Sequence, residues 1–290
     1  MKIIRAEYFG MCFGVRDAIA LAKEMADRGP LTILGDLVHN ESVLAELRDR
    51  GIRVERSVSA ITTPNVMVTA HGASNRRLDE TRTRGLNVLE ATCPLVAVAH
   101  RHVATLVRSG FHPVIIGQRG HVEVLGLTED FEEFDIVLSE QDVAQLQPRR
   151  RFGVIAQTTQ PIDRVRGLVQ LIRERFGDSE VRFVDTVCRP TKQRQHAAIA
   201  LAGKCDVVVV IGGAHSNNTR ELVNTCSRFC GRVHHVQGAR DLRPEWFSQA
   251  GTIGITAGTS TPDHVIDETE RFLREINPEE QTAAGPEQRH

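Results

Sequence analysis

The chain reads as an α/β protein built on parallel sheets, and three observations carry that reading. Apolar runs alternate with amphipathic stretches along almost the whole length. Several of the runs, residues 207–211 among them, are continuously apolar, as strands covered on both faces are. Gly and Pro stand where the amphipathic stretches should stop as helices. The 290 residues are 41% hydrophobic, ample for a real core. Two or three domains are the expectation for a chain this long.

Taken in order, "MKIIRAEYFG" reads as a first strand and has no apolar leader region. A helix is expected over 15–27, ended by Gly29-Pro30, then a strand in "LTILGD" and a helix over 41–50 stopped by Gly51. "NVMVTAHG" and the short stretch 86–90 read as strands, and 95–107 as an amphipathic helix. "HPVIIGQRG" and "FGVIAQTT" continue the strand series, followed by a helix over 162–175 that ends at Phe176-Gly177. "VRFVDTVC", "CDVVVVIGG" and "TIGITAG" complete the strands, and a last helix covers 262–276. The tail 278–290 is polar, contains Pro and Gly, and is expected to be disordered.

Composition excludes several function classes. Lys plus Arg number 36 against 37 Asp plus Glu, which argues against a nucleic-acid or polyanion surface. One Trp, one Tyr and 11 Phe make poor base-stacking platforms. No apolar run reaches the roughly 18 residues of a membrane span. Six cysteines without a secretory leader point to a reducing, cytoplasmic setting rather than a disulfide framework.

Three of those cysteines share one setting. Cys12, Cys93 and Cys188 each follow a strand and open a helix, at roughly the interval of one small α/β unit. Pro94 and Pro190 suit a first helical turn. At such a place free N–H groups and the helix dipole favour a thiolate. No local sequence identity links the three segments, so only the architecture repeats. Three thiols at helix mouths admit a soft metal such as zinc, an iron–sulfur cluster, or buried structural roles, and spacing alone leaves these open. Cys205 reads as packing. Cys226 and Cys230 read as sharing one helix face at i, i+4, in core or surface roles.

Polar residues follow other strands. His39, His71 and His121 each sit just past an apolar run, where ligands of open α/β sheets gather. Taken singly, each also fits an ordinary hydrogen-bonded loop histidine. Gly212-Gly213 leads into Ser216, Asn217, Asn218 and Thr219 at a helix start, and Ser260-Thr261 precedes Pro262 at another. Such residues cap helices, and they also join backbone N–H groups around a phosphate. Together they imply an anionic, phosphorylated ligand. No dinucleotide fingerprint or Walker loop is present, so electrons for a redox reaction would come from a protein donor. Glu123, two residues after His121, is a candidate proton donor, set against a solvated loop charge.

The motifs in register carry a resemblance. Gly10-Met11-Cys12-Phe13-Gly14-Val15, "LVHN", "TAHG", "ATCPLV", the stretch Gly120 to Gly126, "QTT" from Gln157, Cys188 to Gln195 and Thr256 to Asp263 occur in the order of one family. Over about residues 3–275 the chain resembles the 4-hydroxy-3-methylbut-2-enyl diphosphate reductases. The resemblance implies three small α/β domains with parallel sheets, in a pseudo-threefold cloverleaf around a central 4Fe–4S cluster. The domains would span 13–93, 94–187 and 188–277 plus 1–12. Cys12, Cys93 and Cys188 match the cluster's three thiolates, leaving one iron open. His39, His71, His121, Ser216, Asn218 and Ser260 match residues that hold a diphosphate, with Asn217 in the same loop. Glu123 matches the proton-delivery acid, and Thr158 and Thr191 match threonines near the substrate's hydroxyl end. The implied reaction is a reductive dehydroxylation fed by ferredoxin or flavodoxin.

The chain departs from the family pattern at four places. The diphosphate loop reads His215-Ser216-Asn217-Asn218 in place of Asn-Ser-Ser-Asn, so an amide replaces one hydroxyl and a titratable ring is added beside the anion. Val122 stands where proline is usual and is expected to loosen the loop of His121 and Glu123. Phe13 is bulky and is expected to narrow the site. The alternative function is therefore a divergent reductase of another allylic or phosphorylated substrate. A non-catalytic iron–sulfur sensor would need neither the acid nor the phosphate cradle.

Overall fold

The structure is a computed structural model and describes residues 1–276; the tail reading for 278–290 falls outside the described residues. The described residues form three four-stranded sheets, and every strand pair in them is parallel. It divides into two compact units, Cys12–Lys192 and Met1–Met11 with Gln193–His290.

The Cys12–Lys192 unit holds two sheets. The first is ordered β3-β2-β4-β5, from β2 (Leu31–Leu34), β3 (Arg53–Glu55), β4 (Asn65–Val68) and β5 (Asn87–Glu90), with α1 (Phe13–Arg28), α2 (Glu41–Asp49) and α3 (Asn75–Thr83) in the same stretch of chain. The second is ordered β7-β6-β8-β9, from β6 (His112–Ile116), β7 (Asp135–Val137), β8 (Arg151–Ala156) and β9 (Glu180–Phe183). Its helices are α4 (Pro94–Arg108), α5 (Val122–Thr128), α6 (Glu140–Gln145) and α7 (Ile162–Arg175). The middle strands β2, β4, β6 and β8 are rich in buried Val, Ile, Leu and Phe, as parallel strands covered on both faces are. Val114, Ile116, Phe152 and Val154 pack on the α7 side, while Ile115 and Ile155 pack with Ala99 and Val103 of α4. That is the period-two alternation of a pleated strand.

The other unit carries one sheet, ordered β1-β12-β10-β11, from β1 (Lys2–Arg5), β10 (Val207–Ile211), β11 (Val233–Val236) and β12 (Thr252–Ala257). It also holds α9 (Asn217–Ser227) and α10 (Asp263–Ile276), while α8 (Arg189–Ala202) runs across the division of the chain. Val207, Val209 and Ile211 face one core with Ile266 and Leu273, and Val208 and Val210 face another with Ala198, Leu222 and Cys226.

Because all its strands run the same way, each sheet places the loops that follow its strands at one edge, the carboxyl edge. One expectation fails: α9 ends at Ser227, so Cys230 lies past the helix and shares no helical face with Cys226. Cys230 is turned toward the backbone carbonyls of Cys205, Asp206 and Arg232. Gly231, just beyond, suits a chain that has left the helix. Cys226 and Cys230 are buried, and Cys205 packs against the same core.

Candidate active site

Local sequence places the three cysteines. Cys12 is the residue before α1 and Cys93 the residue before α4, with Pro94 at the first helical position. Cys188 accepts, through its carbonyl, the Lys192 amide in the first turn of α8. The amide of Cys93 donates to Ala70 O at 3.0 Å, and that of Cys188 donates to Thr158 O at 3.0 Å. Two thiols are thus tied to the loops after β4 and β8. All three belong to the Cys12–Lys192 unit.

The thiol electrostatics correct one expectation. Burial pushes the Cys93 thiol up, and this outweighs the favourable amides of Leu95 and Val96. Burial pushes Cys188 up to about 11 against the opposing influence of Thr191, whose Oγ1 lies 3.1 Å from the sulfur. The helix N-terminus alone does not yield thiolates here. Cys12 and Glu123 raise both thiols further, so the four groups share one electrostatic neighbourhood. Gly14 is part of it as well: a Cβ there would stand 2.5 Å from Cys93 Sγ. Among the described residues, no group of three or more His, Cys, Asp or Glu side chains is arranged to hold a single metal ion.

The three loop histidines meet. Ring centroids of His39, His71 and His121 are 5.3–5.7 Å apart. Burial, then His121 and His39, hold His71 well below the usual histidine range, so its ring is neutral near pH 7. His121 caps α5: its Nδ1 accepts the Glu123 amide at 3.1 Å. An accepting Nδ1 leaves the proton on Nε2, a donor to an anion.

Glu123 is not the solvated loop charge that was its competing reading. It lies in the first turn of α5 and is fully buried. Thr158 N donates to Oε1 at 2.6 Å and Thr158 Oγ1 pairs with Oε2 at 3.1 Å. Burial raises its pKa to about 7 against these two bonds. Val122 is the first residue of α5, whose N-cap is His121. Phe13, expected to narrow the site, is 47% exposed.

Sequence reasoning did not single out His100. It lies on α4, its Nε2 is buried with no hydrogen-bond partner, and burial lowers its pKa. Its ring fills the space that side chains at Gly72 and Gly126 would need, so it packs the His71 loop against α5. The glycines after His71 and His121 were the only local signal.

The second polar loop set lies in the other unit. Ser216 caps α9, accepting the Thr219 amide at 3.3 Å. Asn217, Asn218 and Ser260 are buried, while His215 is exposed. Asn218 Nδ2 and Ser260 Oγ are buried with no hydrogen-bond partner in the chain. Unpaired buried donors of this kind call for a ligand or water.

Comparison with known proteins decides the family. Residues 3–274 match the model of the LytB protein family. The chain belongs to the LytB family. Among its relatives, the 4-hydroxy-3-methylbut-2-enyl diphosphate reductase of Geotalea uraniireducens is 35% identical over 96% of this chain and 98% of the relative. That of Geotalea daltonii is 37% identical over 95% and 98%. The solved E-1-hydroxy-2-methyl-but-2-enyl-4-diphosphate reductase of Plasmodium falciparum matches with a TM-score of 0.88 and 25% identity, over 94% of this chain and 88% of that one. A solved (E)-4-hydroxy-3-methyl-but-2-enyl diphosphate reductase, the terminal enzyme of the non-mevalonate pathway, matches at TM-score 0.67 and 32% identity, over 95% of this chain and 100% of that one. The protein is a LytB-family reductase, and the α/β fold with parallel sheets is that of the family's solved structures.

Proposed function

We propose that this LytB-family reductase removes the hydroxyl of (E)-4-hydroxy-3-methylbut-2-enyl diphosphate, giving isopentenyl and dimethylallyl diphosphate. The C–O bond breaks, two electrons and two protons enter, and the oxygen leaves as water. The observation that carries the reading is Glu123: fully buried, clamped by Thr158, poised near pH 7 and electrostatically coupled to Cys93 and Cys188.

Cys12, Cys93 and Cys188 would hold a 4Fe–4S cluster. The donor set fits: the Cys93 and Cys188 thiols, whose pKa burial raises, ionise readily only beside a cation, and Gly14 leaves the Cys93 sulfur its space. Such a cluster supplies electrons and, through an iron without a protein ligand, Lewis acidity toward the hydroxyl oxygen. Ferredoxin or flavodoxin is the proposed electron source, in the cytoplasm. The domains proposed are 13–93, 94–187 and 188–277 with 1–12.

The side chains do the rest. The Thr158 amide can only donate, so it fixes Oε1 of Glu123 as an acceptor and leaves the acid's proton on Oε2. The Thr158 hydroxyl can accept that proton and pass its own onward, and Thr191 lines the hydroxyl end. The residues proposed to bind the diphosphate are His39, His71 and His121, the last through Nε2–H, and, from the family resemblance, Ser216, Asn217, Asn218 and Ser260. Anchoring that end holds the short carbon chain in a reactive pose.

The test is anaerobic turnover of the allylic diphosphate by iron–sulfur-reconstituted protein, followed by oxidation of a reduced viologen. Substrate-dependent oxidation with both isoprenoid products is expected. An intact cluster with no turnover sinks this substrate and favours a divergent one, with Asn217 the first place to look.

A further inference from the structure

Neighbouring strands β10 and β12 bring two glycine-led loops together. Ile211 and Ala257 are register partners, and the Gly258 amide donates to Ile211 O at 2.8 Å. Thr219, in the first turn of α9, stands between the two loops and is fully buried. A Cβ on Gly212 would lie 2.5 Å from Thr219 Oγ1, and one on Gly258 would overlap the same oxygen. The Gly258 position also lies 3.6 Å from Asn218 Nδ2. Backbone therefore closes around this hydroxyl from two sides, and only glycine permits it.

Despite that enclosure, Thr219 Oγ1 has no hydrogen-bond partner in the chain, the condition shared by Asn218 Nδ2 beside it and by Ser260 Oγ on the second loop. A buried unpaired hydroxyl is destabilising, and a valine would fill the same shape without the penalty. Thr256 is also buried and unpaired, but it lies within β12 rather than in a loop.

We infer that Thr219 is a further anion-binding residue of this loop pair, its hydroxyl left unpaired by the protein so that it bonds only when a diphosphate is present. The inference rests on the diphosphate reading above. It predicts opposite signs for stability and binding, which a packing role does not.

The experiment titrates inorganic pyrophosphate calorimetrically into the full-length, cluster-loaded protein under anaerobic conditions, with a melting curve for each variant. T219V is expected to bind pyrophosphate about tenfold more weakly, with a melting temperature equal to or above wild type. T219S, which keeps the hydroxyl, is expected to bind within about twofold of wild type. In turnover, T219V raises KM and leaves kcat. Equal binding by T219V overturns the inference, and so does weakened binding with a lowered melting temperature. A wild-type protein that ignores pyrophosphate overturns the anion subsite itself, a result separable from the variant comparison.

Discussion

Glu123 folds into a site that disfavours its charge, so its protonation is coupled both to stability and to rate. Folded, it titrates at about 7; its ordinary value is 4.5. Between those values the folded protein holds a proton that the unfolded chain has released, so this group's contribution to stability falls as pH rises through 7. Glu123→Gln can keep both Thr158 contacts without the charge. We expect it to melt higher than wild type at pH 8, with the gap closing as pH falls toward 4.5, to retain iron, and to lose kcat by about 10²–10⁴-fold. The alkaline limb of the wild-type rate profile should vanish with it; a fully active variant would remove Glu123 from the mechanism. Gly14→Ala tests the sulfur's space, since the added methyl meets Cys93 Sγ at 2.5 Å. It should lower iron and labile sulfide per chain as Cys93→Ser does, and full iron occupancy would show that the sulfur moves freely. The three cysteines were legible because strand, cysteine and helix are local patterns. The burial of Glu123 was not, because the group that clamps it is 35 residues away at Thr158.

At the scale of elements, the start of α3 shows what steadies the His71 loop. Ser74 Oγ donates to Glu129 at 2.9 Å, and the amides of Asn75 and Arg76 donate to Asp130, each at 2.9 Å. A carboxylate just past α5 thus caps a helix whose own first turn has no acid. Asp130→Ala should cost about 1–2 kcal/mol in denaturant melts and raise KM more than it lowers kcat. An unchanged KM would mean that the histidine cluster is steadied from elsewhere. Long apolar strands and capped amphipathic helices were readable with ends correct to a few residues. The edge strands β3, β7 and β11 were not: they are three or four residues long and only partly buried, too short for a periodic signal. α3, "NRRLDETRT", carries one apolar residue, Leu78, too few for a periodic signal.

For the molecule as a whole, alternating apolar and amphipathic segments announced parallel sheets, because parallel strands need helical crossovers. Which residues meet depends instead on how loops far apart in sequence converge, as His39, His71 and His121 do. The division of the chain sorts the candidate site residues into two sets: the three thiols, the histidines and Glu123 fall in Cys12–Lys192, and Ser216, Asn218, Thr219 and Ser260 in the other unit. Binding energy at a site appears as resistance to local opening in the unit that holds it. Hydrogen exchange can therefore read the two chemistries separately. Stripping iron should speed exchange at the starts of α1, α4 and α8 while leaving the buried centre of β10 and β12 protected. Pyrophosphate should slow the amides of 212–219 and 258–261. Iron loss that instead opens β10 would mean that the thiols do not ligate within their own unit, and the proposed cysteine set would fall with that result.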